Sequence, residues 1–205
     1  VLITKCYEGI EAIQIDIAGG EIEIYPSDDG MNANGGSDGF GAGQMGMQQS
    51  VDQSEDGDTE ADEDTWIHIS GGSVTIVNET GNDADGLDSN GDIIIGGGDI
   101  RISLVNSGSN SALDYGSENG GVCEISGGNV IACGSSSMAE SFDSTSAQCS
   151  ILYNISQGIA AGTRLALEDA DGAVILEYEV PCSFSSAVIS CPEMVLGESY
   201  LVVIG

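Results

Sequence analysis

A Gly-Gly pair that recurs inside one alternating aliphatic pattern constrains this chain more than any other feature. The pairs stand at Gly19-Gly20, Gly71-Gly72, Gly97-Gly98 and Gly127-Gly128, with first glycines 52, 26 and 30 residues apart. Aligned on the glycines, the chain falls into columns. Ile15, Ile67, Ile93 and Cys123 stand four residues before the pairs, and Ile17, Ile69, Ile95 and Ile125 two before. Ile22, Val74, Ile100 and Val130 follow two after, and Ile24, Ile76, Ile102 and Ala132 four after. Alternation with a period of two puts all of these on one face of extended chain. A further short segment repeats as Gly9-Ile10-Glu11, Gly30-Met31-Asn32, Gly86-Leu87-Asp88 and Ala112-Leu113-Asp114. Internal repetition at roughly 20–50 residues is the mark of stacked repeat architectures. The pattern predicts an all-β chain, and specifically a right-handed parallel β-helix with three short strands per coil. Hairpins joined by Asn-Gly or Asp-Gly turns are the competing arrangement.

The repeat occupies residues 1–148, interrupted by residues 35–64, a Gly-, Gln- and acid-rich insertion that composition reads as a solvated loop. From residue 149 the pattern changes. Ile151–Ile155, Arg164–Glu168, Ala173–Val180, Ser183–Ile189 and Ser199–Ile204 read as ordinary strands, with a turn at residues 169–172. Residues 149–205 are therefore expected to form a C-terminal β-rich cap over the open end of the repeats.

Acidic residues share the register. Glu8, Asp29, Asp85 and Ser111 precede the short-strand apolar residue by two, and Glu11, Asn32, Asp88 and Asp114 follow it by one. Asp28 and Asp83 thicken the two densest clusters. Neighbouring strands lie about 4.8 Å apart, and carboxylates stacked at that spacing repel unless a cation sits between them. Ca²⁺, which takes 6–8 oxygen ligands, is the expected cofactor. Its candidate ligands are Glu8, Glu11, Asp28, Asp29, Asn32, Asp83, Asp85, Asp88 and Asp114. Helix-flanked calcium loops are excluded, because the bidentate Glu is not at the required spacing. An isolated Asp-Gly turn is ordinary backbone chemistry; repetition in columns is what points to ions.

The chain carries 34 acidic residues against three basic ones, a formal charge of -31. That excludes binding nucleic acid through a basic patch, and no apolar run reaches the length of a membrane span. The six cysteines have no CxxC spacing, which argues against zinc. Their pairing is left open.

Tyr7–Ala12 (YEGIEA), Ser27–Ala33 (SDDGMNA) and Asp83–Gly91 (DADGLDSNG) resemble the calcium-binding, carbohydrate-binding β-helix family of bacterial surface proteins. Gly127-Gly128 and Ser183–Pro192 ahead of GESY extend the likeness over most of the chain. The resemblance implies a pectate-lyase-like fold that binds cellulose or acidic sugars without lyase chemistry, on a secreted or cell-surface protein. It also implies further coils before Tyr7, so that the chain is the C-terminal portion of a longer domain. Ser111 stands where the family pattern has an acid, and Met31 where isoleucine is commoner.

The expected function is Ca²⁺-dependent, non-catalytic binding of plant cell-wall polysaccharide, cellulose or polygalacturonate. Uronate would be bridged through Ca²⁺, and neutral glucan would need aromatic faces, for which Tyr7, Tyr25, Trp66 and Tyr115 are candidates. A lyase on the same scaffold is the alternative; Arg101 would be its base, since proton abstraction beside a uronate carboxyl needs a base and a cationic group. A structural surface element rigidified by Ca²⁺ is the third reading. His68 has no triad partner in the sequence pattern.

Overall fold

The computed structural model describes residues 1–34, 65–81 and 84–205. The insertion at residues 35–64 lies outside the described residues, as does Asp83. The strands are, in chain order, β1 (Leu2–Cys6), β2 (Ile10–Glu11), β3 (Gln14–Ile17), β4 (Glu21–Pro26), β5 (Met31–Ala33), β6 (Trp66–Asn78), β7 (Leu87–Ser89) and β8 (Asp92–Leu104). They continue as β9 (Leu113–Tyr115), β10 (Cys123–Ile125), β11 (Asn129–Gly134), β12 (Ser150–Ile159), β13 (Thr163–Glu168), β14 (Val174–Val180), β15 (Phe184–Ser190) and β16 (Leu201–Ile204).

Three sheets result. A nine-stranded sheet runs β1-β4-β6-β8-β11-β15-β12, with β3 also paired to β6 and β10 to β8. A four-stranded sheet, β2-β5-β7-β9, is parallel throughout. A three-stranded antiparallel sheet has the order β14-β13-β16.

This arrangement corrects the expected right-handed parallel β-helix. No sheet among the described residues closes, and parallel and antiparallel pairings are mixed. Two of the three expected strands per repeat merge, because β6 and β8 each run through their Gly-Gly pair as a single strand of 13 residues. The nine-stranded sheet then continues past the last repeat through β15 and β12, both paired antiparallel. The alignment columns themselves are real ladder partners. Ile15, Ile67, Ile93 and Cys123 pair in sequence across β3, β6, β8 and β10, and Ile24, Ile76, Ile102 and Ala132 pair across β4, β6, β8 and β11.

These columns build the first core. Ile24, Ile67, Ile76, Ile93, Ile95, Ile100 and Ile102 are fully buried in it with Met31, Leu87 and Leu113 from the small sheet. Each such side chain contributes about 1.5–3 kcal/mol by leaving water. The glycine pairs mark a repeated kink: Gly20, Gly72, Gly98 and Gly128 all hold φ between 92° and 101°. A side chain there would be strained, and at Gly72 it would also meet the Gly20 carbonyl.

A second core lies on the other face, where Ile131, Cys133, Ala187 and Ile189 pack against Leu165, Leu167, Leu176 and Val180 of the three-stranded sheet. Cys123 is buried in the first core, where its column puts it. Cys133 points away from that core as its parity requires, yet it is fully buried in the second. The three-stranded sheet covers that face, which is why Cys133 is buried although it turns away from the first core.

Candidate functional site

The small parallel sheet positions the acids. Its pairs set Ile10 against Met31, Leu87 and Leu113 in turn, all inward. One residue on, Glu11, Asn32, Asp88 and Asp114 are direct partners from β2 to β9. Two residues before, Glu8, Asp29 and Asp85 occupy the turns that lead into the strands. The Asp29 carboxylate accepts the Asp85 backbone N–H at 2.7 Å, and the Asp85 carboxylate accepts the Ser111 N–H at 2.5 Å. Asp29 and Asp85 thus each cap the next turn with one carboxylate oxygen.

At one end of this ladder Glu8, Asp28 and Asp29 each bring a carboxylate oxygen within 4.8 Å of the others. Ligands at the usual Ca²⁺ distance of about 2.3–2.6 Å from a shared ion are at most about 5 Å apart, so the three fit one ion. Asn32 joins them: its Nδ2 donates to Asp29 at 3.1 Å. Asn32 is 3 % exposed, and its Oδ1 has no hydrogen-bond partner among the described residues. A buried carbonyl oxygen left unsatisfied costs about 1–3 kcal/mol, which a coordinated cation would relieve. The donor set is all oxygen, which suits a hard cation such as Ca²⁺ or Mg²⁺.

Farther along, burial and the neighbouring acids push both Asp85 and Asp88 up to about 8. For Asp85 the charged neighbours are Asp114, Asp29 and Asp88; for Asp88 they are Asp29, Asp114, Glu8 and Asp28. The ladder is thus one electrostatic unit. Glu140, from the loop after β11, adds to its far end. Burial, then Asp114, raises it to about 7, and its Oε2 is buried with no hydrogen-bond partner among the described residues. Sequence alignment missed Glu140 because it lies outside every repeat; only the return of residues 135–149 over β9 and β10 places it there.

Of the predicted ligands, Glu8, Asp28, Asp29 and Asn32 converge, Asp85 and Asp88 continue the ladder, and Asp114 is its register partner on β9. Glu11 occupies the column but is exposed and outside the triad. The four aromatic candidates do not gather into one face. The Tyr7 phenol is held by the Asp28 carboxylate, which raises its pKa. Tyr25 donates to Glu23 at 3.5 Å and Tyr115 to Asp143 at 3.2 Å. Trp66 stacks on His68 at 5.1 Å and donates to Asp16 at 3.4 Å.

No protein-family model, curated protein or solved structure matches the chain. The functional reading rests on the site's own chemistry.

The Arg101 guanidinium, the base of the lyase alternative, donates to the Ile100 and Asn129 carbonyls and pairs with Asp99 at 3.0 Å. It also lies 6.0 Å from the Tyr178 ring centroid on β14, where burial lowers its pKa. It is a bracket between the nine- and three-stranded sheets.

The raised carboxylates give a first expected result, in chelator. Asp85 and Asp88 have folded values near 8 against an ordinary 3.8. The folded state binds more protons than the unfolded one, so the stability linked to these groups is fully present below about pH 4 and lost as pH rises through about 8. Urea midpoints in EGTA should therefore fall between about pH 5 and about pH 8.5. Asp85→Asn combined with Asp88→Asn should flatten that slope. An unchanged slope in the double variant would assign the pH dependence to the overall charge instead.

Proposed function

We propose that this chain is a non-catalytic, Ca²⁺-dependent carbohydrate-binding surface module in which ions held along the acidic ladder bridge to uronate groups of plant cell-wall polysaccharide. The observation that carries the proposal is the convergence of Glu8, Asp28 and Asp29, whose carboxylate oxygens lie within 4.8 Å of one another. A -31 surface repels an acidic sugar. A cation with protein carboxylates on one side and open positions on the other reverses that repulsion. Uronate is preferred to cellulose because the aromatic candidates are dispersed and engaged, whereas a flat glucan chain needs aligned rings. The engagement of Arg101 with Asp99 and two backbone carbonyls counts against the lyase alternative. Secretion or surface display belongs to this proposal, since millimolar Ca²⁺ is an extracellular condition.

Co-sedimentation with polygalacturonate tests it. Binding should require Ca²⁺, vanish in EGTA and weaken about tenfold or more in Asp29→Ala, the scale seen when support of a metal site is removed. Absorbance from unsaturated uronate should stay flat throughout. Binding that survives EGTA, or sustained product formation, would reject the proposal.

A further inference from the structure

The six cysteines stand as thiols, and the acidic ladder uses none of them. Cys6 lies on β1, at one end of the nine-stranded sheet, while Cys149 and Cys191 flank β12 and β15 at the other. Strands β12 and β15 run antiparallel with Ser150 opposite Ser190 and Ile151 opposite Ile189. Carrying that register one residue further sets Cys149 directly opposite Cys191. The Ser190 hydroxyl donates to the Cys149 carbonyl at 2.7 Å, which holds the two chains together just past the last ladder pair. Both side chains share a face: Cys191 is buried in the second core, and the partly buried Cys149 packs against it. Directly opposed residues on antiparallel neighbours have Cβ atoms about 4.5–5.5 Å apart, and a disulfide needs about 3.5–4.5 Å. The difference is within reach of a small shift of β12, an edge strand whose residues are mostly exposed or half-buried.

We propose that Cys149 and Cys191 are a redox modification site, closing into a cross-strand disulfide that pins edge strand β12 to β15. The oxidant is a small disulfide, R–S–S–R. The more accessible Cys149, as thiolate, attacks one of its sulfurs, and the departing thiolate takes up a proton. The Cys191 thiolate then attacks the Cys149 sulfur of the mixed disulfide and expels the second thiolate, which is protonated in turn. Two protein thiols lose two electrons and two protons, and one external disulfide becomes two thiols. Burial raises Cys191 to about 11, so the second step is the slow one.

No other pair among the described residues is opposed in this way. Cys123 faces Ile93 across the ladder, and Cys133 lies between Ser103 and Ala187. Cys182 reaches the same Ser103, donating its N–H to the hydroxyl at 3.0 Å, which makes Cys133 with Cys182 the rival pair.

The intact chain is treated with oxidised glutathione and mapped by non-reducing peptide mass spectrometry. The expected result is a Cys149–Cys191 cross-link, with a Tm raised by roughly 5–10 °C and restored by dithiothreitol. Cys149→Ser should abolish both, and Cys6→Ser should leave both intact. A Cys133–Cys182 link, a glutathione adduct on Cys149 that never resolves, or a Tm rise that persists in Cys149→Ser would each overturn the proposal.

Discussion

Calcium at a hundredfold excess over Kd should stabilise this protein by about 2.7 kcal/mol per bound ion, roughly 5–10 °C in Tm for a chain of this size. The reason is that the folded state gathers carboxylates that the unfolded chain keeps apart, and only the folded state offers Glu8, Asp28 and Asp29 within 4.8 Å of one another. The ladder also predicts a crossing that a general charge effect does not. Asp88→Asn removes a carboxyl whose ionisation burial and Asp29, Asp114, Glu8 and Asp28 oppose. In EGTA the variant should therefore melt above the parent protein, and in saturating Ca²⁺ below it. Differential scanning calorimetry under both conditions decides the matter. Equal melting temperatures with and without Ca²⁺ would remove the basis for an ion-bridging ladder. Mg²⁺ should stabilise less, because it demands octahedral geometry and sheds water reluctantly.

Gly86→Ala should damage the ladder severely for a single added methyl. A Cβ at Gly86 would overlap the carbonyl oxygen of Ala112 and come within 2.6 Å of an Ile102 methyl. That carbonyl accepts the Leu87 N–H at 3.2 Å, so relief of the clash breaks the bond that joins β7 to β9. The cost should be about 3 kcal/mol, the upper range for overpacking a tight interior. Ca²⁺ affinity should fall with it, since the spacing of Asp85, Asp88 and Asp114 is set by the same strands. Gly9 and Gly30 occupy equivalent places, each against the carbonyl of the next glycine. The series ends in Ala112, which is tolerated because β9 is the edge of its sheet and no further strand lies beyond it among the described residues. Ala112→Gly should accordingly cost only about 1 kcal/mol. Urea unfolding of the two variants side by side is the measurement, and equal losses would mean that strand spacing does not control this sheet.

What was legible in the sequence was register. Aliphatic residues two apart must share a face, and identical spacings around Gly-Gly must stack like on like. The columns headed by Ile15, Ile17, Ile22 and Ile24, the inward residues Ile10, Met31, Leu87 and Leu113, and the alignment of Glu11, Asn32, Asp88 and Asp114 all follow from that periodicity. So do the five strands after residue 149, whose turn chemistry is local; Gly172 at φ 81° closes the turn after Asp169.

Tertiary structure alone decided the rest. Periodicity says which residues are neighbours, not whether a row of strands curls into a closed coil. The extra pairing of β15 onto β11, and of β12 onto β15, continues an open sheet instead, in place of the predicted β-helix. Cys133 is buried because a sheet distant in sequence covers it. Glu140 reaches Asp114 through a loop that belongs to no repeat, and Cys149 meets Cys191 across 41 residues of intervening chain. Contacts of this kind depend on how far a chain turns back on itself, and short-range alternation carries no information about that.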